Sequence, residues 1–314
     1  MIDYKKTLTS SIATVTLAFG SAACAQQQLP SPVADNMVPA ETVEMAATGP
    51  AMWKLSDEDT TIYLFGTVHA LPEGIDWYTG PVRTAFEASD TLVTEIPMGA
   101  EDEAAIQALA MTRGMLPAGT TLRGLLDEDQ RATYDGALTG MGLPVASFDA
   151  FEPWMAGLTM TLLPLMQAGY DPEQGVDKLL IGKAGDTKTF DALETAEFQI
   201  GIFDGMSQEK QIDFLVSMAG QTGEAVDMVN RMVAEWMDGD PDGLAEVMNE
   251  GLDEDPGLAE ALLYNRNANW AVWIDKRMDA PGTVFIAVGA GHLAGERSVQ
   301  DLLSQRGLTV SRVP

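Results

Sequence analysis

Two matched segments, each an apolar strand-like run that ends in G-x-x-H, constrain the fold of this chain more than any other feature. Residues 63–69 read YLFGTVH and residues 285–292 read FIAVGAGH. Each is followed by a stretch with helical periodicity and then by a second strand-like run. These are residues 80–88 and 91–96 in the first half, and residues 296–305 and 308–313 in the second. The pattern predicts two β-α-β halves separated by an insertion.

The rest of the globular sequence adds a hairpin, one more strand and many helices. Residues 51–55 and 61–65 flank an acidic turn and predict the hairpin, and residues 187–193 predict the strand. Apolar residues recur with a helical period at residues 104–113, 152–167, 208–219, 225–237 and 258–278. The predicted fold class is α/β (mixed α+β), with a central mixed sheet from the two β-α-β halves and flanking helices. Residues 101–282 form a large insertion that is predicted to be mainly helical.

The amino-terminal region predicts export. Lys5 and Lys6 precede an uncharged run of small and apolar residues, so residues 1–25 are interpreted as a signal peptide. Residues 23–25 read ACA and form an A-x-A cleavage site, whereas Cys24 with its preceding residues resembles a lipobox without the usual Leu. Cys24 is therefore either removed or lipidated. The protein is expected in the periplasm or outside the cell, and it attaches to a membrane only if Cys24 is lipidated.

Residues 26–50 are rich in Gln, Pro, Ala and Thr without apolar periodicity, and they predict a disordered spacer. Residues 51–314 are predicted to form a single catalytic domain. The only cysteine of the chain is Cys24, so this domain has no thiol for a disulfide, a metal thiolate or a nucleophile. Motifs typical of serine hydrolases, P-loop enzymes, zincins and dinucleotide-binding enzymes do not occur in it.

The charge balance argues against a nucleic-acid partner. The chain has 18 Lys and Arg against 47 Asp and Glu, a net charge of −29. Removing residues 1–25, which hold two of the basic residues and one acidic residue, leaves 16 against 46 and a net charge of −30. So negative a surface repels phosphate backbones and anionic lipids.

The two G-x-x-H segments contain the only histidines, His69 and His292. If their strands are neighbours, both imidazoles lie over the carboxyl edge of the sheet, where ligands bind in open α/β sheets. The alternative is that each histidine only caps its own turn. The occurrence of both histidines in matched positions favours a shared site.

Two acidic residues follow predicted strands and are candidates for the same site. Glu95 closes residues 91–96, and a parallel arrangement places its carboxylate beside His69. Two imidazoles and one carboxylate form a common open ligand set for a catalytic divalent metal, so His69, Glu95 and His292 are the predicted ligands. Glu194 follows residues 187–193 and is interpreted as a fourth ligand, as a general base or as the start of a helix.

Three further polar residues have two interpretations each. Asp177 opens a predicted helix and either orients a ligand histidine, without binding the metal itself, or caps that helix. Arg266 and Asn267 lie in a long predicted helix and either bind a substrate carboxylate or oxyanion, or engage in pairing within the protein. In so acidic a chain, an ion pair is the simpler interpretation for Arg266.

These residues together resemble the TraB/PrgY/GumN family, which is related to the Tiki metallopeptidases and more distantly to erythromycin esterases and ChaN-like proteins. The resemblance runs from Trp53 to Val313. It is carried by residues 63–69, 94–95, 175–177, 193–195, 266–267 and 288–292. It implies a mixed sheet with a helical insertion, and in the Tiki branch it implies proteolysis that depends on manganese or cobalt.

Carried over to this chain, the resemblance implies a metal set with supporting polar residues. The metal set is His69, Glu95 and His292, and the supporting residues are Glu194, Arg266 and Asn267. The expected function is a metal-dependent hydrolase, a peptidase or amidase that uses water activated by manganese, cobalt or zinc on a peptide or a small amide or ester. The alternative is a non-catalytic envelope protein that sequesters a peptide, metal or haem in the same cleft. A role of Glu194 as a base favours the enzyme.

Overall fold

The computed structural model describes residues 49–252 and 256–314. The predicted signal peptide, Cys24 and all but the last two residues of the predicted spacer lie outside these ranges.

The strands of the described residues form one mixed sheet in the order β4-β3-β5-β2-β1-β6. They are β1 (Met52–Ser56), β2 (Thr60–Thr67), β3 (Thr91–Thr94), β4 (Thr189–Ala192), β5 (Gly282–Gly289) and β6 (Ser311–Arg312). Strands β4, β3, β5 and β2 are parallel, whereas β1 runs antiparallel to both β2 and β6. The predicted mixed α/β fold is thus confirmed.

Helices surround the sheet and fill the segment between β3 and β5, which also supplies β4. They are α1 (Gly80–Ala88), α2 (Ala100–Arg113), α3 (Leu122–Leu125), α4 (Glu128–Gly140), α5 (Pro153–Gln167), α6 (Val176–Ala184), α7 (Ala196–Asp204), α8 (Gln208–Gln221), α9 (Ala225–Asp238), α10 (Pro241–Leu252), α11 (Pro256–Ala259), α12 (Asn265–Arg277) and α13 (Val299–Gln305). Across the two described ranges, none of these helices has the length and apolar character needed to cross a membrane.

The two central strands are covered by helices on both faces, which explains why their sequences are almost continuously apolar. Ile62 and Leu64 of β2 face a cluster with α12 and α13, while Phe65 faces the opposite cluster with α1, α6 and α9. Strand β5 divides in the same way, because successive side chains point to opposite faces. The strand ends that carry the G-x-x-H turns therefore rest on a rigid, doubly packed centre.

The carboxyl-terminal half differs from a β-α-β unit in the position of its last strand. Strand β5 already has β3 on one side and β2 on the other, so no edge beside it remains free. The chain instead crosses behind the sheet through α13, and β6 pairs antiparallel with Trp53 and Lys54 of β1. Only Ser311 and Arg312 pair there, which makes β6 shorter than the predicted strand at residues 308–313.

A second difference lies in the helix predicted over residues 258–278. Residues Glu260–Tyr264 form a π-helical turn between α11 and α12. Such turns are rare and frequently lie at functional sites. This one leads directly into Arg266 and Asn267.

Candidate functional site

The two G-x-x-H turns lie side by side at the carboxyl edge of the parallel strands. Strands β2 and β5 pair in parallel, with Thr67 opposite Gly289, so His69 and His292 follow at nearly the same level. The first glycine is needed for this close approach. A Cβ on Gly66 would lie 2.9 Å from the Cα of Ala290, in the second turn. The structure therefore brings both histidines to one place, as the shared-site hypothesis requires.

The His69 ring is held by a buried carboxylate. Its Nδ1 lies 2.7 Å from Oδ2 of Asp177, and the hydroxyl of Thr67 donates to the other oxygen at 2.8 Å. Helix α6 has no side-chain cap, so Asp177 orients His69 and does not cap the helix. The helix can begin there because Gly175 has no side chain, and a Cβ on it would collide with the carbonyl of His69.

The His292 ring is held in a similar way by an amide. Its Nδ1 lies 2.6 Å from Oδ1 of Asn267, its Nε2 lies 3.1 Å from Nη1 of Arg266, and the ring packs 4.2 Å from that of Trp270. A guanidinium can only donate, so Nε2 accepts and the ring proton is assigned to Nδ1. Both histidines thus have Nδ1 engaged and Nε2 directed into the site.

Glu95 connects the second turn with helices α7 and α12. Its Oε1 accepts from the backbone N–H of Gly289 at 2.7 Å, and its Oε2 accepts from Arg266 at 2.5 Å and from Gln199 at 2.9 Å. Oε1 also lies 3.7 Å from Nε2 of His292. Glu95 is therefore an internal member of the site and does not face solvent.

Glu194 is buried more deeply, and both of its oxygens are occupied. Nε of Arg266 donates to them at 3.1 and 3.0 Å, the indole of Trp270 donates at 2.9 Å and Gln199 donates at 3.1 Å. The cap of α7 is the hydroxyl of Thr195, so Glu194 does not start that helix. These contacts make Glu194 the partner of Arg266.

Gly289 lies at the point on which the side chains of the three predicted metal ligands, His69, Glu95 and His292, converge. A Cβ there would lie 3.1 Å from Oε1 of Glu95, 3.5 Å from Nε2 of His69 and 3.6 Å from Cδ2 of His292. Only a glycine leaves this space open to all three side chains. The Nε2 of His69 has no hydrogen-bond partner within the described ranges, and 18 % of the His69 side chain is exposed, so the site opens towards solvent on this side.

The two histidines have opposite electrostatic environments. Burial lowers the pKa of His69, but the charge and hydrogen bond of Asp177 outweigh it and raise the pKa to about 9. Burial and the nearby positive charge of Arg266 lower the pKa of His292 to about 3. Without an ion, His69 is thus a cation at neutral pH and His292 is neutral.

The carboxylate of Glu95 and the guanidinium of Arg266 stabilise each other's charged form. Burial raises the pKa of Glu95, but Arg266 and the two histidines together hold it well below its ordinary value. Burial lowers the pKa of Arg266, and Glu95 and Glu194 raise it above its ordinary value. Three carboxylates, those of Glu95, Glu194 and Asp177, stand formally against the positive charge of Arg266. An ion that binds His69 requires its neutral imidazole, so the site then offers a formal charge of −2 to that ion.

The donor atoms suit a divalent ion by type. Two imidazole nitrogens and a carboxylate oxygen form a common open ligand set, and metal-binding histidines usually donate their other ring N–H to a carboxylate or carbonyl. However, no three His, Cys, Asp or Glu side chains of residues 49–252 and 256–314 are arranged to hold an ion. Arg266 is the obstacle, because it contacts both Glu95 and His292. His69, Glu95 and His292 therefore suit an ion by chemical type. An ion can bind His292 only if Arg266 gives up its hydrogen bond to Nε2 of that ring.

Four members of the site are not among the candidate residues that the sequence predicts, although Thr67 and Gly289 belong to the two G-x-x-H segments. Gln199 links the two glutamates, Trp270 packs on His292, Thr67 supports Asp177 and Gly289 leaves the central space. A signal existed for Trp270, which follows Arg266 by four residues and therefore lies on the same helix face. No comparable signal singled out Gln199.

The fold and the site define an α/β protein with paired G-x-x-H turns at the carboxyl edge of a mixed sheet. The chain belongs to the TraB/PrgY/gumN family, whose profile matches residues 51–312, so the family resemblance is confirmed. It is 22 % identical over 274 residues to an uncharacterized protein of Treponema pallidum (strain Nichols), covering 82 % of this chain and 80 % of that protein. It is 25 % identical over 190 residues to the uncharacterized protein YbaP of Escherichia coli (strain K12), covering 60 % and 70 %. No solved structure matches the chain.

Proposed function

We propose that this protein is a hydrolase that cleaves a carbonyl substrate, a peptide or a small amide or ester, with a divalent ion held by His69, Glu95 and His292. The observation that carries the proposal is the matched fixing of the two imidazoles. Each Nδ1 is engaged by a side-chain acceptor, and His69 Nε2 and Glu95 Oε1 face the same open point beside Gly289. Protein export, with removal or lipidation at Cys24, remains part of this proposal.

The residues of the chain have separate roles in this mechanism. Asp177 and Asn267 hold the imidazoles in one tautomer and orientation, so that the Nε2 atoms need no reorganisation. His69, Glu95 and His292 would hold the divalent ion, which would supply the Lewis acidity that makes water a nucleophile near neutral pH. When Arg266 yields its bond to His292, the freed Nη1–H lies beside this position, and such a donor stabilises negative charge that develops on a carbonyl oxygen.

The contacts of Glu194 support a role different from that of a general base, which is one of the three interpretations that its sequence position leaves open. Each of its oxygens already accepts hydrogen bonds, and a base has to accept a proton from water or substrate. We therefore assign Glu194 to the positioning of Arg266.

A second candidate function follows from the position of Arg266. Its guanidinium already occupies Nε2 of His292 and Oε2 of Glu95, so it supplies the cation of the site as the side chains stand. In this version the protein hydrolyses the same class of substrate without an ion. His69, oriented by Asp177, then acts as the general acid or base. Chelation separates the two candidates.

The experiment combines elemental analysis with a peptide and ester cleavage screen on purified protein, treated with chelator and then supplied with manganese, cobalt or zinc. For the first candidate, His69→Ala and His292→Ala each lose most bound metal and activity, and the double variant loses no more, because either change breaks one site. Arg306→Ala is the control, since Arg306 pairs with Asp275 on the surface.

Three results would redirect the assignment. Cleavage that persists after chelation favours the arginine-based candidate. Full metal occupancy in both single variants contradicts the shared ion site. Metal binding without cleavage of any substrate, with all three ions tried, favours a protein that sequesters its ligand.

A further inference from the structure

Arg297 has a backbone conformation that its residue type rarely adopts. Its φ is 60°, and within the described ranges it is the only residue other than glycine with a positive φ. Residues with a Cβ are strained in this region, and such strain persists only where the surroundings enforce it. Arg297 lies in the loop between His292 and α13, five residues after the histidine.

The side chain of Arg297 is fixed by the π-helical turn. Both terminal nitrogens of its guanidinium donate to Glu260, at 2.6 and 3.0 Å, and its Cζ lies 3.9 Å from the centroid of the Tyr264 ring. Glu260 and Tyr264 are the first and last residues of the π-helical turn. The same short segment therefore holds Arg297 and positions Arg266 and Asn267 immediately after it.

The backbone of Arg297 reaches the site through an amide. Its carbonyl accepts from Nδ2 of Asn267 at 3.0 Å, which leaves Oδ1 of Asn267 facing Nδ1 of His292 at 2.6 Å. A reversed amide would set its oxygen against the Arg297 carbonyl and its N–H against the ring N–H, so both contacts would be lost. At the other ring nitrogen, Nε2, the N–H of Arg266 requires an acceptor. Asn267 and Arg266 therefore both place the ring proton of His292 on Nδ1.

We propose that Arg297 is a positioning residue that fixes the His292 imidazole with its proton on Nδ1, acting through the orientation of the Asn267 amide. The left-handed backbone of Arg297 aims the carbonyl, and Glu260 with Tyr264 holds the side chain so that this conformation persists. The inference goes beyond the proposed function, because the ring proton stays on Nδ1 whether an ion or Arg266 engages Nε2.

The test uses the fact that the chain has only two histidines, His69 and His292. Nitrogen-15 labelling of histidine gives an NMR spectrum of two rings, recorded on chelator-treated protein. In the wild type, His292 should show a protected Nδ1–H and an unprotonated Nε2. In Arg297→Ala the Nδ1–H signal of His292 should be lost to solvent exchange or shift to Nε2, while His69 keeps its pattern.

Two further variants make the test specific. Arg297→Gly removes the guanidinium but tolerates a positive φ, so it should retain more of the Nδ1–H signal than Arg297→Ala. Arg306→Ala removes an exposed arginine paired with Asp275, away from the site, and should leave both rings unchanged. If the chain hydrolyses a substrate, Arg297→Ala should also lower kcat about tenfold or more, as losses of supporting contacts commonly do.

The NMR result does not depend on whether the protein has hydrolytic activity. A wild-type His292 with its proton on Nε2, or an Arg297→Ala spectrum identical to the wild type, overturns the inference. An Arg297→Gly spectrum as altered as that of the alanine variant overturns the role of the backbone. If Arg297→Ala does not fold, Glu260→Gln weakens the same side-chain contact, and its His292 Nδ1–H should exchange faster than in the wild type.

Discussion

Arg266 is the counter-ion of the two buried glutamates of the site, Glu95 and Glu194. Its guanidinium reaches Glu95, Glu194 and His292 together, and only 7 % of the residue is exposed. A buried charge pair adds little over well-packed apolar residues, but removing one partner leaves the other charge uncompensated. In this site the loss of one arginine leaves two carboxylates.

We expect Arg266→Ala to lower the free energy of unfolding by about 3–5 kcal/mol, because Glu95 and Glu194 remain buried without their counter-ion. Urea unfolding at neutral pH measures it. Arg306→Ala, which opens an exposed pair with Asp275, should cost about 0–1 kcal/mol. Equal losses in the two variants would show that the contacts of Arg266 do not stabilise the fold beyond a surface pair.

At the scale of elements, strand β5 contributes a backbone N–H and an open space to the site, and no side chain. It ends at Gly289, whose N–H binds Glu95 and whose missing Cβ leaves the central space free. The other elements deliver side chains into this space: β2 leads into His69, and the 3₁₀ turn Ala290–Leu293 carries His292.

Gly289→Ala should therefore impair function more than folding. The new methyl group would lie 3.1 Å from Oε1 of Glu95, so the carboxylate has to shift by a few tenths of an ångström. We expect metal occupancy and cleavage to fall by about tenfold or more, as when a ligand's supporting contacts are lost. Elemental analysis and the cleavage screen measure the two losses, and thermal unfolding reports the fold.

Gly136→Ala is the matched control for this change. Gly136 lies inside α4 and is exposed, and no atom lies within 4 Å of the position that a methyl group would take there. This variant should gain about 1 kcal/mol and keep full function. An active, metal-loaded Gly289→Ala protein would contradict the central position of the open space.

For the molecule as a whole, the two histidines predict how stability depends on pH in chelator-treated protein. The folded pKa of His69 is about 9, above its ordinary 6.5, so its contribution is complete below pH 6.5 and is lost as the pH rises through 9. The difference corresponds to about 3 kcal/mol. The folded pKa of His292 is about 3, below 6.5, so stability is lost as the pH falls from 6.5 to 3. Stability should peak near pH 6.5.

Urea unfolding between pH 6.5 and 9.5 measures the alkaline decline. Asp177→Asn removes the charge that raises the pKa of His69, so this variant should be less stable at pH 6.5 and should show a flatter decline. A wild-type stability that does not fall between these pH values would mean that His69 does not gain a proton on folding.

The export hypothesis is tested on protein recovered from the cell envelope. Lys5, Lys6 and the uncharged run after them predict removal of the first segment. Intact mass spectrometry should show a chain that starts at Gln26, or a lipid mass on Cys24. An intact Met1 on envelope protein would contradict both versions.

The sequence alone determined the fold class, the family and the edge of the sheet at which the candidate residues lie. Strand ends, helical periods and the two G-x-x-H turns depend on short local stretches of sequence. Parallel strands bring their carboxyl ends to the same edge of the sheet. The positions of His69, Glu95 and His292 followed from this rule. The position of β6 did not, because it depends on which sheet edge is free, and no pattern in the sequence marked the π-helical turn.

Only the tertiary structure decided how the polar side chains are paired. Arg266 meets Glu95 across 171 positions and Glu194 across 72, and nothing local selects these two among 47 acidic residues. Asp177 binds His69 and not its own helix because the turn of β2 places the imidazole beside it, 108 positions away in the chain. Ion pairs and hydrogen bonds depend on distances set by packing, whereas secondary structure depends on neighbours along the chain.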